Sequence, residues 1–189
     1  MSEHLPIVER FIAYLNEERH FSPYTGRCYG LDLRQFTDFL RTAHSVTADE
    51  AAEVAAFEKR LGGGAPDESG STCTDLILAA DLETIRGFIA HLGEQEYSAA
   101  TMARKIATLR SFHKWMERKG LIKNNPMVLI RTPKQAKRLP KAISVDQIER
   151  LLSAPDDTDL LGARDRAILE VLYSTGIRVS EVVGINRGD

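Results

Sequence analysis

Ser98-Ala-Ala-Thr-Met-Ala-Arg-Lys-Ile-Ala-Thr-Leu-Arg-Ser-Phe-His-Lys-Trp-Met-Glu-Arg-Lys-Gly120 is the stretch from which the rest of the chain can be read. Ser98 has the short hydroxyl that caps a helix, and Gly120 is the residue that commonly ends one. At roughly 100° per residue, Met102, Ile106, Leu109, Phe112 and Met116 fall on one apolar arc. Thr108, Arg104, Ser111, Arg118 and Lys114 fall on the opposite arc. The spacing predicts a helix with one face in a core and one basic face.

Working outward, the same period recurs. Leu5, Val8, Phe11, Ile12 and Leu15 form an apolar stripe. Ser22 and Pro23 open a second helix whose buried side is Tyr29, Leu33, Phe36 and Leu40. Thr47 and Glu50 have capping-box spacing before a helix over 51–61. The Gly-rich stretch 62–71 reads as a loop. Asp81 caps a helix carrying Ile85, Phe88, Ile89 and Leu92, with Gly93 as its stop. Pro126, Pro133 and Pro140 lie among basic residues and predict an extended linker. Beyond it, Ser144 and Gln147 make a second capping box, followed by helices over 145–153 and 162–174 and a short one from Arg178. The expected fold is mainly α. A helical bundle occupies 1–130 with an acidic insertion near 42–80, a basic linker spans 131–141, and 142–189 opens a second helical domain. Three helices are too few to enclose a good core there.

Composition narrows the classes. Of 189 residues, 43% are hydrophobic and 28% charged, which suits a water-soluble chain with a core. No run approaches the ~18 apolar residues of a membrane helix, and the amino terminus lacks a secretory signal pattern. Cys28 and Cys73 stand alone, so a reducing, cytoplasmic compartment is expected. The five histidines share no metal-ligand spacing, and Gly62–Gly64 lack the Gly-Lys-Ser/Thr of a phosphate loop. Neither metal nor cofactor is expected. The net charge of −2 hides an asymmetry. Residues 98–141 hold twelve bases and one acid, Glu117, for a net +11 that leaves −13 elsewhere. Such a division points to an anionic partner on one surface.

Two constellations could carry chemistry. The basic helix face, with its small polar groups, can contact both phosphates and base edges of a duplex, or it can be a solvated surface. Near the carboxyl end, Tyr173-Ser-Thr-Gly-Ile-Arg-Val-Ser-Glu181 ends a helix at Gly176 and follows it with Arg178 and, three residues on, Glu181. An arginine fork steadied by a carboxylate suits a phosphate. It can equally be a surface ion pair worth a few tenths of a kcal/mol.

Taken together, several motifs resemble the tyrosine site-specific recombinases of the XerC/XerD and phage-integrase type. They are Phe11-Ile-Ala-Tyr-Leu-Asn-Glu-Glu-Arg19, Phe21-Ser-Pro-Tyr-Thr25, Tyr29, Asp32-Leu-Arg-Gln-Phe36 and Ser98-Ala-Ala-Thr101. Leu109-Arg-Ser-Phe112, Trp115, Asn125-Pro126, Pro133-Lys134, Leu139-Pro140 and Leu172 to Glu181 continue the series. The resemblance implies a SAM-like core-binding bundle followed by the first helices of a catalytic domain, the two clamping duplex DNA. It makes Arg178 the first catalytic arginine, stabilising charge on a scissile phosphate, and Glu181 the acid that supports it. It implies DNA contacts from Ser22, Thr25, Arg104, Lys105, Thr108, Ser111, Lys114, Arg131, Lys134, Lys137, Arg138 and Lys141. Related recombinase subunits are the implied protein partners; no membrane or small-molecule substrate is implied.

The chain departs from the family pattern in one respect that matters. The family's catalytic lysine, His-x-x-Arg motif and nucleophilic tyrosine follow the first arginine, whereas Tyr14, Tyr24, Tyr29, Tyr97 and Tyr173 all precede Arg178. The 189 residues are therefore expected to bind DNA without cleaving it alone, and the acidic insertion is expected to face away from DNA. A non-catalytic regulatory module and a helical protein-interaction domain are the alternatives. Chromosome-dimer resolution and mobile-element integration are the two kinds of recombination that the resemblance implies.

Overall fold

Phe11, Phe36, Phe88 and Phe112 come from four different helices and meet in the centre of the first unit, all fully buried. The Phe11 and Phe112 rings lie 5.1 Å apart and those of Phe36 and Phe88 5.0 Å apart, both tilted. Burying a side chain of this size contributes roughly 1.5–3 kcal/mol, so this quartet is the natural centre of the fold. A computed structural model describes residues 4–47, 49–65, 71–133, 142–156, 158–186 and 188. The chain divides into two compact units, Met1–Ala136 and Lys137–Asp189.

In the first unit, α1 (Pro6–Ala13) runs on through one wide turn, Tyr14–Glu18. Helix α2 (Pro23–His44) is capped by Ser22, whose Oγ accepts the Thr25 N–H at 3.2 Å. After α3 (Glu50–Leu61) and α4 (Cys73–Ala79), α5 (Leu82–Glu94) starts at Asp81, which accepts the Thr84 N–H at 2.8 Å. Helix α6 (Ala99–Arg118) starts at Ser98, which accepts from Thr101 at 3.2 Å, and the chain then turns tightly at Gly120. Ile106, Leu109, Phe112 and Met116 are buried as the period predicts. A short 3-10 turn, Pro126–Leu129, closes the unit and buries Met127.

Several local expectations are corrected. Asp49, not Thr47, caps α3: its Oδ1 accepts the N–H groups of Ala51 at 3.0 Å and Ala52 at 3.4 Å, and a carboxylate is favoured at a helix's positive end. Gly93 does not stop α5, which continues to Glu94 and is closed by Gln95. The expected acidic surface insertion near 42–80 is built partly into the core. Phe57 of α3 and Cys73, Ile77 and Leu78 of α4 are buried, because two amphipathic helices here cover the bundle rather than a loop. The Arg60 guanidinium fastens this segment to the end of α6, donating to the carbonyl oxygens of Leu121 at 2.8 Å and Gly120 at 3.2 Å.

The second unit contains α7 (Val145–Leu152), α8 (Leu160–Thr175) and α9 (Val179–Val183). The Ser144–Gln147 capping box forms, with bonds of 3.0 and 3.3 Å in the two directions. Helix α8 begins two residues before the predicted Gly162, because Asp159 accepts the Gly162 N–H at 2.6 Å and so becomes its cap. No described residue of this unit is buried, and Leu151, Leu160, Leu161, Val179 and Val183 are exposed. Among the described residues there is no strand, and no helix is long and apolar enough to cross a membrane.

Candidate nucleic-acid interface

Helix α6 sorts its polar residues differently from a simple helical wheel. Thr108, expected on the solvent arc, and Lys105, expected as a DNA contact, are both buried. The reason is Asp32 on α2, a carboxylate only 4% exposed. One of its oxygens accepts from Lys105 Nζ at 3.1 Å; the other accepts from Thr108 Oγ1 at 2.9 Å and from Arg104 Nη1. Lys105 also donates to Gln35 Oε1 at 2.7 Å and lies 5.0 Å above the Tyr97 ring. A buried charge needs such partners to be tolerated. Burial, and secondarily the Asp32 carboxylate, push the Tyr29 hydroxyl up from its ordinary value. Asp32, Gln35 and Tyr97 are the residues that pattern reading missed as members of this constellation.

The rest of the basic face stays open. Arg104, Lys114 and Arg118 are exposed and Ser111 is half-buried. Beside them lies a groove of about 320 Å³ between α6 and the wide turn after α1. Arg19, Arg110, Ser111, Lys114 and Arg118 supply its polar lining, Tyr14, Phe21 and Trp115 its apolar lining, and no carboxylate lines it. Arg19, not singled out from the sequence, thus adds a cation from another element. Arg110 donates to Ile130 O at 3.0 Å and Thr132 Oγ1 at 3.1 Å, which ties α6 to the chain leading to Arg131. Arg131 is exposed; Lys134, Lys137, Arg138 and Lys141 lie outside the described residues.

Ser22 and Thr25 bond each other through their hydroxyls at 2.9 Å while capping α2. Ser22 is exposed and Thr25 half-buried. A helix end with exposed hydroxyl and amide groups suits phosphate oxygens, but the two hydroxyls here already serve the fold. His113, by contrast, is an interior residue. It lies 2.9 Å from Leu109 O through Nδ1, and burial lowers its pKa to about 4. Among the described residues no three of His, Cys, Asp or Glu converge to hold a metal.

In the second unit Gly176, at φ 65°, closes α8 in the left-handed conformation that glycine adopts without strain. Arg178 then starts α9. Glu181 reaches back twice, accepting the Arg178 backbone N–H at 2.8 Å and the Arg178 Nη1 at 3.0 Å. The arginine side chain is 81% exposed. One guanidinium nitrogen is thereby held by a carboxylate while the side chain stays exposed, an arrangement that can receive a phosphate oxygen.

Comparison with known proteins follows the same division. Residues 8–79 and 74–120 match the family described as phage integrase, N-terminal SAM-like domain, and residues 141–189 match the phage integrase family. A tyrosine recombinase XerC from Syntrophus aciditrophicus (strain SB) is 36% identical over 183 residues, covering 97% of this chain and 52% of its own length. A tyrosine recombinase XerD from Listeria monocytogenes serotype 4b (strain F2365) is 34% identical, with the same coverage of 97% and 52%. Among solved structures, an integrase from mycobacterium phage Brujita shares the fold with a TM-score of 0.51 at 20% identity, covering 95% of this chain and 48% of that one. The chain spans about half the length of the curated relatives it matches.

Proposed function

Because this chain belongs to the phage integrase family, we propose that its first unit is the duplex-DNA-binding portion of a site-specific tyrosine recombinase acting in the cytoplasm. The observation that carries the reading is the groove beside α6, where Arg19, Arg110, Lys114 and Arg118 converge without a single acid. A duplex strand is a regular row of phosphates, and a groove of this charge follows it, with Ser111 in its lining. Phosphate contacts set register, and the small polar groups of α6 leave room for base contacts in a groove of the duplex.

Arg178 carries the second half of the proposal. Its fork, held by Glu181, stabilises the charge that develops on a phosphate under attack. In this family the attacking group is a tyrosine hydroxyl that exchanges one phosphodiester for a phosphotyrosyl bond, so the bond energy is conserved and no nucleotide cofactor is consumed. All five tyrosines precede Arg178. The 189 residues alone therefore bind DNA and do not cut it, and related recombinase subunits are the protein partners proposed for strand exchange. Whether that exchange resolves chromosome dimers or integrates a mobile element is set by the target site.

The double charge reversal Lys114→Glu with Arg118→Glu tests the binding reading. Both side chains are exposed, so the fold is retained. Retention of duplex DNA at low salt is expected to fall by about tenfold or more. Unchanged retention contradicts the assignment of the groove, and no retention by the unaltered chain favours a protein-interaction domain instead.

A further inference from the structure

A buried acid on the side of the bundle that carries the cations works against attraction of a polyanion unless it has another task. Asp32 sits there, on α2, and every described donor it accepts comes from α6. Lys105, itself buried, balances its charge and is held in turn by Gln35. Thr108 occupies a further acceptor site. Arg104 is the only one of the three that reaches the surface, with its side chain 45% exposed.

Arginine offers five N–H donors in one rigid plane. In Arg104 a single nitrogen, Nη1, is bonded to Asp32, which tethers the guanidinium to the bundle while the side chain stays 45% exposed on the basic face. An unrestrained arginine loses rotamer entropy when it is fixed on a ligand; one already held loses less. We propose that Asp32 is a positioning residue for duplex recognition, setting the Arg104 guanidinium to receive a backbone phosphate. This rests on the duplex-binding reading above.

The sign of one substitution separates positioning from bulk charge. Asp32→Asn removes a negative charge near DNA, so charge alone predicts tighter binding. Positioning predicts the reverse. Affinity for a duplex oligonucleotide falls about fivefold, and the salt dependence of log K becomes shallower by about 0.9, the equivalent of one phosphate contact. In an Arg104→Ala background, Asp32→Asn then has no further effect. Arg104→Lys, an exposed change that leaves the core intact, keeps the charge but not the fork and weakens binding to a similar degree.

Tighter or unchanged binding by Asp32→Asn overturns the proposal while the duplex reading stands. So does an equal effect of Asp32→Asn with and without Arg104, or binding by Arg104→Lys within twofold of the unaltered chain. If Asp32→Asn does not fold, Arg104→Lys alone decides. Failure of the unaltered chain to bind duplex overturns the functional reading, and this inference with it.

Discussion

The carboxylate of Glu53, buried in α3, closes the amino terminus of α4 by accepting the backbone N–H of Cys73 at 2.7 Å. It also takes the Thr74 N–H at 2.9 Å and the Thr74 hydroxyl at 2.6 Å. Glu53 is 2% exposed, so its loss strands buried donors instead of handing them to water. Glu53→Ala is expected to destabilise the first unit by about 2–4 kcal/mol. Urea unfolding followed by circular dichroism measures this, and a change under 0.5 kcal/mol contradicts the role.

His113 makes stability depend on acid. Burial holds its folded-state pKa at about 4, against an ordinary value of 6.5. The unfolded chain therefore binds the proton first as pH falls. The stability conferred by a neutral buried His113 is fully present above pH 6.5 and is lost as pH drops toward 4. Over that window the loss amounts to about 3 kcal/mol. His113→Leu should flatten this part of the curve, measured as urea midpoints at a series of pH values; an unchanged slope would place the titration elsewhere.

The Arg178–Glu181 pair predicts a negative result. Incubated with a nicked suicide duplex, the 189 residues should form no covalent protein–DNA adduct on a denaturing gel. Arg178→Ala should lower duplex affinity by no more than about threefold, since one exposed contact is removed. A covalent adduct from this chain alone overturns the view that its tyrosines cannot serve.

What was legible in the sequence was local. The caps at Ser22, Asp81, Ser98 and Ser144 act over three residues, so short-range spacing reveals them. Arg178 and Glu181 are also three apart, so the same short-range spacing pairs them. Asp32 and Arg104 are 72 residues apart, and no periodicity in either helix announces their meeting. Stepping about 100° per residue places Thr108 on the polar arc; a buried carboxylate on the facing helix makes that polar position part of the interior. Helix α4, seven residues long, is too short for a 3.6-residue period to show, and Glu53 reads as a surface acid until its partners are known. The basic groove needed Arg19 brought up to α6, which is again a tertiary fact.

The most direct test of the account is a salt titration of duplex binding by the unaltered 189 residues. A groove holding Arg19, Arg110, Lys114 and Arg118, together with the exposed Arg104 of α6, should engage about four or five phosphates. The slope of log K against log salt should then be about −4, with retention lost well before 0.5 M salt. Binding that is absent at low salt, or that does not change with salt, contradicts a basic face built for DNA.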